Sequence, residues 1–199
     1  MQLHYFPTPD ATNTLATDEL RARFLLGNLF QPGAITSHYT DLDRMITGAA
    51  LPTTTSLPLP AAKETGTAFF LERREIGILN VGAPGAVKVG GTRHELGSLD
   101  CLYIGLGEKD VTFEPGTAGQ PQYYFVSTPA HAKHPTAIAR AADMKTDPIG
   151  DVTKANRRRI NKCIHLDGIK SCQLVLGFTE FEPGSLWNTM PPHTHSRRT

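Results

Sequence analysis

The pattern of apolar and polar positions changes once along the chain, near Ile35. Before it, Leu20 and Phe24 lie four residues apart, the spacing that forms an apolar stripe on a helix. Thr17 is a suitable N-cap, and Pro32-Gly33 is a stop signal. The pattern predicts a helix over Thr17–Phe30, packed on a sheet or on a neighbouring subunit, within an N-terminal segment that covers residues 1–34.

After residue 35 the apolar runs are short, alternate with polar residues and end at glycine-containing turns, as in β-sandwiches and barrels. The strands predicted in this part are 68–71, 76–81, 85–91, 92–96, 102–104, 111–113 and 123–126. Together they predict one complete β-barrel over residues 35–128.

Residues 129–156 are rich in Ala, Pro, Asp and Thr and have no strong period, which predicts a linker with a short helix near Thr136–Met144. A second barrel is expected to start at residue 157 and to run to residue 199. Its predicted strands are 160–166, 172–181 and 186–189, with a turn at 182–185. The predicted fold class is therefore all-β, with a short N-terminal helix and an incomplete second barrel.

Composition narrows the possible functions. The net charge of +1 offers no electrostatic attraction to nucleic acid or to an anionic membrane. No secretory signal precedes the three cysteines, so we expect reduced thiols that fill core space in a cytoplasmic protein.

The last residues of the chain contain the candidate metal ligands. His193 and His195 follow a double proline, and in an extended strand both imidazoles project from one face. Two neutral imidazoles can bind Zn²⁺, Mn²⁺ or Fe²⁺. The remaining histidines are isolated or lie beside turns, and we interpret them as structural or solvated.

A short internal echo favours a duplicated barrel. An Arg-Arg pair occurs at Arg73-Arg74 and again at Arg197-Arg198. Ala68, Phe69 and Phe70 precede the first pair and offer no lone pair to a cation, so we expect no metal in the first barrel.

Several segments resemble the 5-keto-4-deoxyuronate isomerases, also called 4-deoxy-L-threo-5-hexosulose-uronate ketol-isomerases. The matching segments are Phe70–Gly82, Asn156–Lys162, Cys172–Leu174 and, most specifically, Leu186–His195. The resemblance extends over essentially the whole chain. It implies a bicupin with two jelly-roll barrels per chain, hexameric assembly, and conversion of 5-dehydro-4-deoxy-D-glucuronate to 3-deoxy-D-glycero-2,5-hexodiulosonate in pectin and uronate catabolism.

The resemblance also implies one zinc ion in the second barrel, held by two histidines that His193 and His195 match. The family's glutamate ligand would fall just beyond Thr199, and its third histidine has no counterpart here. The chain therefore resembles a family member cut short within its second barrel. A complete zinc site needs three or four protein ligands, so the chain as written is expected to bind zinc weakly.

The acidic substrate calls for an arginine, because a guanidinium binds a carboxylate through paired hydrogen bonds. Arg197 and Arg198 are nearest to the histidines in sequence, and Arg157–Arg159 form a second cluster. Salt bridges at barrel rims are the alternative role for these arginines. Two functions remain open: a zinc-dependent aldose-ketose isomerase, or a non-catalytic cupin that serves as a binding or oligomerisation module.

Overall fold

The protein is almost entirely β-structure. A computed structural model describes residues 1–61 and 63–188. Within them the strands are β1 Gln2–His4, β2 Ile35–Thr40, β3 Ile46–Ala50, β4 Leu57–Pro58, β5 Arg74–Asn80, β6 Gly85–Val89, β7 Thr92–Leu96, β8 Cys101–Ile104, β9 Thr112–Glu114, β10 Tyr123–Pro129, β11 Ala137–Ala139, β12 Lys145–Ile149, β13 Arg158–Ile164 and β14 Leu176–Phe181. The helices are α1 Pro9–Thr12 and α2 Thr17–Phe24, with 3₁₀ turns at Lys63–Thr65, Ala141–Asp143 and Val152–Lys154. The all-β prediction is confirmed.

Two sheets form the first barrel. One has the strand order β1-β2-β3-β10-β5-β8-β11, and the other has the order β4-β9-β6-β7. A single apolar core lies between them, with Ile76 and Ile78 of the first sheet and Val87 and Phe113 of the second among its buried members. Burying side chains of this size stabilises the fold by about 1.5–3 kcal/mol each.

Strand β5 is buried on both of its faces. Ile76 and Ile78 point into the barrel core, whereas Glu75, Gly77 and Leu79 alternate with them and point outwards. All seven residues of β5 are nevertheless buried, because the outer face is also covered. A strand buried on both faces need not alternate between apolar and polar residues, and the sequence of β5 is a nearly continuous apolar run from Ile76 to Leu79.

A separate sheet of β12, β13 and β14 covers that outer face. Because it belongs to the second unit of the chain, we call it the second sheet. Its strands pair antiparallel, and a bulge between Lys162 and Ile164 turns both Cys163 and Ile164 inwards. Cys163, Ile164 and Leu174 pack against Leu79 and Tyr103 of the first barrel. This contact is the seam between the two units.

The segment predicted as a linker contains regular structure. The structure has strand β11 and a 3₁₀ turn where a short helix was expected near Thr136–Met144, so that prediction is wrong. Strand β11 pairs with β8, and β12 pairs with β13. These strands are stabilised by pairing with distant partners, which local periodicity does not reveal.

The N-terminal helix is shorter than expected. Helix α2 ends at Phe24, because Leu25 adopts an extended conformation while its N–H still bonds the carbonyl of Arg21. Ala16, not Thr17, is the N-cap residue, and the Glu19 carboxylate accepts the N–H of Ala16 at 2.9 Å. No residue of α2 is buried. Strand β1 lies alongside β2 in parallel and was not predicted.

Two predicted strands are also wrong. Ala68–Leu71 forms bends and a turn, and Leu186–Asn188 are not in a strand. Phe70 and Leu71 are buried there as apolar plugs of the barrel core, so their hydrophobicity reflects burial without strand pairing. Among the described residues, no helix is long and apolar enough to cross a membrane.

Candidate functional site

The second sheet has one face against the first barrel and one face turned away from it. We call the latter the open face. It consists of three cross-strand rows: Ile149-Arg158-Phe181, Asp147-Ile160-Thr179 and Lys145-Lys162-Gly177. None of these nine residues is fully buried, and Phe181 keeps 46% of its surface exposed. The open face thus combines apolar side chains with cationic and anionic groups.

Carboxylates neutralise the two lysines of the open face. Lys162 Nζ lies 2.6 Å from Asp147 Oδ2 and 3.7 Å from Asp167 Oδ2, and Lys145 Nζ lies 3.4 Å from Asp167 Oδ2. The hydrogen bond with Asp147 raises the pKa of Lys162, and Lys145 lowers the pKa of Asp167. Lys162 therefore keeps its proton at neutral pH and donates hydrogen bonds, and Asp147 supplies the acceptor on this face.

The three consecutive arginines have separate environments. Arg157 Nε pairs with Glu182 at 3.1 Å. Arg158 Nη1 donates to the carbonyl of Asn156 at 2.9 Å, and its Nε is shielded from solvent without an acceptor. Arg159 lies on the opposite face of the sheet, directly across from Glu180.

A cleft of about 340 Å³ lies on that opposite face, between the second sheet and the first barrel. Arg159, Asn161 and Glu180 contribute its polar lining, and Met144 and Phe178 contribute apolar surface. Asn161 Nδ2 donates to Glu180 Oε2 at 2.8 Å. Asn161 and Glu180 are therefore engaged with each other.

The chain leaves the second sheet at a fixed position. After β14, Glu182 N and Ser185 Oγ donate to the carbonyl of Arg157 at 3.0 and 2.7 Å. Leu186 N and Trp187 Nε1 donate to the carbonyls of Ala155 and Lys154. The last described residues are thus tied beside the start of β13, at the Arg158 end of the open face.

The site residues predicted from the sequence are not placed by the structure. His193, His195, Arg197 and Arg198 lie outside the described residues, so the predicted metal and substrate roles stay predictions. Within residues 1–61 and 63–188, no group of three His, Cys, Asp or Glu side chains could hold a metal ion.

A buried glutamate that sequence reasoning missed connects the two units. Glu75 is 0% exposed, and its carboxylate accepts four hydrogen bonds. The donors are Tyr103 Oη at 2.6 Å and the backbone N–H groups of Cys172 at 2.8 Å, Gln173 at 2.6 Å and Leu174 at 2.7 Å. These bonds fix the segment that leads into β14.

Burial, followed by the hydrogen bond to Glu75, raises the pKa of Tyr103, so its hydroxyl stays protonated and donates. The only available signal for this cluster was a charged residue at an outward position of β5.

The cysteines are free, and two of them meet at the seam. Interaction with the Cys163 thiol, followed by burial, raises the pKa of Cys101. Cys163 Sγ also lies 3.6 Å from Met144 Sδ. Cys172 is partly exposed beside His131, with 3.4 Å between Sγ and Nδ1.

Comparison with known proteins adds the family. A family model described as KduI/IolB matches residues 28–199. This match includes both units and the His-Thr-His segment. The chain belongs to the KduI/IolB family.

Individual relatives agree with this family assignment. A protein from Opitutus terrae named 4-deoxy-L-threo-5-hexosulose-uronate ketol-isomerase is 66% identical over 200 residues, covering all of this chain and 73% of the relative. Proteins of the same name from Kineococcus radiotolerans and Bacillus subtilis are 42% and 44% identical, with 73% and 72% of their lengths covered. Among solved structures, an IolB-like protein from Salmonella typhimurium aligns with a TM-score of 0.46 and 12% identity, over 59% of this chain and 43% of that one.

Proposed function

We propose that the protein is a 4-deoxy-L-threo-5-hexosulose-uronate ketol-isomerase, an intramolecular oxidoreductase of uronate catabolism. The observation that supports this most strongly is the 66% identity, over the whole chain, with a relative of that name. Its substrate would be 5-dehydro-4-deoxy-D-glucuronate, a sugar acid. The chemistry of the open face agrees with such a ligand, because it offers cations for a carboxylate, polar groups for hydroxyls and apolar side chains for C–H surface.

The open face could perform three tasks. Lys162, whose pKa is raised, donates hydrogen bonds to substrate oxygens. Asp147 is the carboxylate of this face and could accept a proton when one moves between adjacent carbons. Ile160 lies directly across from Asp147, Phe181 lies in the next row, and both could exclude water from one side of a bound sugar.

We also propose one Zn²⁺, bound through His193 and His195. The chemistry of this donor pair suits zinc, since neutral imidazoles are common zinc ligands. A bound zinc would polarise the carbonyl and hydroxyl oxygens of the substrate. Within residues 1–61 and 63–188, no group of three His, Cys, Asp or Glu side chains forms a metal site by itself.

The isomerase proposal is tested by incubating the chain with 5-dehydro-4-deoxy-D-glucuronate and following formation of 3-deoxy-D-glycero-2,5-hexodiulosonate. Zinc binding is measured in parallel by titration against a fluorescent zinc indicator. We expect a His193→Ala/His195→Ala double variant to lose turnover and zinc binding together. We also expect zinc affinity to fall below about pH 6.5, because ligation requires neutral imidazole.

A His94→Ala/His134→Ala double variant is the matched control, since it removes two imidazoles elsewhere and should keep both properties. Equal zinc affinity in the parent and the His193/His195 variant would place the ion elsewhere. A chain that binds a uronate without converting it would favour the alternative, a non-catalytic binding or oligomerisation module.

For the assembly and location we propose a cytoplasmic homo-oligomer, a hexamer by resemblance to the family. The three free cysteines agree with a reducing compartment. Sedimentation of the purified chain tests the hexamer.

A further inference from the structure

The second sheet contains an arginine, Arg158, whose charge is not neutralised by any carboxylate among the described residues. Arg158 lies in the first row of the open face, between Ile149 and Phe181. Within residues 1–61 and 63–188, no carboxylate is within ion-pair distance of its guanidinium. The other cations nearby are engaged or face elsewhere: Lys145 and Lys162 are held by aspartates, and Arg157 is held by Glu182.

The hydrogen bonding of Arg158 shows which donors of the guanidinium lack a partner. Nη1 is fixed by the carbonyl of Asn156 at 2.9 Å, and this bond orients the group. Nε is shielded from water and has no acceptor among the described residues. Buried donors of this kind are rare in folded proteins and call for a missing acceptor. Nη2 donates to no acceptor among the described residues, and the residue as a whole keeps part of its surface in solvent.

A carboxylate is the group that best matches these donors. One of its oxygens can accept from Nη2, and a small rotation of the side chain that uncovers Nε would complete a pair of parallel N–H donors. Such a pairing would also give Nε the acceptor that it lacks. Asn156 is itself buried and bonds the N–H of Asp151, so the carbonyl that orients Arg158 is held in place.

We propose that Arg158 is the carboxylate-binding residue of the open face and takes the acidic group of a hexuronate-type sugar acid. The choice of ligand rests on the proposed function. The assignment separates Arg158 from its neighbour Arg159, which lies on the opposite face of the same strand.

The test is equilibrium binding of D-galacturonate to the 199-residue chain by calorimetry, with D-galactose as the uncharged control. Neither sugar needs to be turned over, so the result does not depend on isomerase activity. The parent is expected to bind galacturonate more tightly than galactose. In Arg158→Gln, galacturonate binding should weaken by at least about tenfold while any galactose binding is unchanged.

Two further variants separate charge from structure. Arg158→Lys keeps the charge without the paired donors and should retain an intermediate preference for galacturonate. Arg159→Gln, on the opposite face, should bind like the parent. Circular dichroism and thermal unfolding of each variant exclude misfolding as the cause of lost binding.

Three outcomes would overturn the assignment. The first is the absence of any preference for galacturonate over galactose in the parent. The second is unchanged galacturonate binding in Arg158→Gln. The third is loss of binding in an Arg197→Gln/Arg198→Gln variant but not in Arg158→Gln, which would place the carboxylate at the other arginine pair. If the chain fails to isomerise its proposed substrate yet binds galacturonate through Arg158, the site stands and the proposed reaction fails.

Discussion

At the scale of single residues, Glu75 shows how a buried charge can be accommodated. Its four donors distribute the negative charge over one hydroxyl and three consecutive backbone N–H groups. Hydrogen bonds to a charged acceptor are about twice as strong as neutral ones. Two of the donors bond each carboxylate oxygen, so neither oxygen can be replaced by a donor group without loss.

We expect Glu75→Gln to lower the free energy of unfolding by about 2–4 kcal/mol, because the new amide group must face two N–H or O–H donors in either orientation. Urea denaturation measures the change. Glu72→Gln is the control, since Glu72 accepts one exposed backbone N–H from Ala68 and should cost less than about 1 kcal/mol. Equal stability of Glu75→Gln and the parent would show that the four hydrogen bonds do not contribute to the free energy of unfolding.

A second residue-scale prediction concerns His38, which is 5% exposed and shares a hydrogen bond with His4, with 2.8 Å between Nδ1 and Nε2. Burial, followed by the neighbouring His4, lowers the pKa of His38 in the folded protein. The unfolded chain therefore takes up a proton more readily as the pH falls below about 6.5. The stability contributed by neutral His38 is present above this pH and is lost progressively below it.

Between pH 6.5 and 5.5, we expect His38 to account for a loss of up to about 1 kcal/mol in the free energy of unfolding. Urea titrations of the parent and of His38→Gln across this range provide the measurement, because the variant removes this imidazole. Parallel pH profiles for the two proteins would contradict the prediction.

At the scale of elements, strand β5 joins the two units because its outward face contains a glycine. A Cβ at Gly77 would lie 2.6 Å from Ile164 Cδ1 and 2.9 Å from Leu176 Cδ2. Separations this short require the Ile164 and Leu176 side chains to shift from their packed positions. The absence of a side chain at position 77 thus allows β13 and β14 to pack closely on β5.

We expect Gly77→Ala to lower the free energy of unfolding by about 1–3 kcal/mol through overpacking at the seam. The same variant should increase the rate at which Cys101 and Cys163 react with an aromatic disulfide reagent, because both thiols lie at that seam. Gly27→Ala is the matched control, since nothing lies within 4 Å of the added methyl. Unchanged stability together with unchanged thiol reactivity would show that the seam tolerates the methyl group.

At the scale of the whole molecule, the second sheet depends on the first barrel for much of its burial. Leu79, Cys101 and Tyr103 of the barrel form the surface on which Cys163 and Ile164 pack. The Glu75 bonds cross the same seam. This arrangement leaves the open face of the second sheet turned away from the barrel.

The sequence by itself determined the fold class, because short apolar runs separated by glycine turns are a local signal that needs no knowledge of partners. It also determined the strands around Ile76, Val87 and Tyr123. The family resemblance, which rested on segments such as Leu186–His195, was confirmed by the KduI/IolB match. The assignments of His193 and His195 to zinc, and of Arg197 and Arg198 to substrate, remain predictions.

Only the tertiary structure decided which neighbours of similar sequence differ in role. The three consecutive residues 157–159 are all arginine, yet their environments differ. Arg157 is paired with Glu182, Arg158 has an unpaired Nε donor, and Arg159 lines the cleft on the opposite face of the sheet. Likewise, strands β11 and β12 form within a segment that has no period of its own. In each case the deciding interactions join residues far apart in sequence, such as Glu75 with Leu174, and a local pattern contains no information about them.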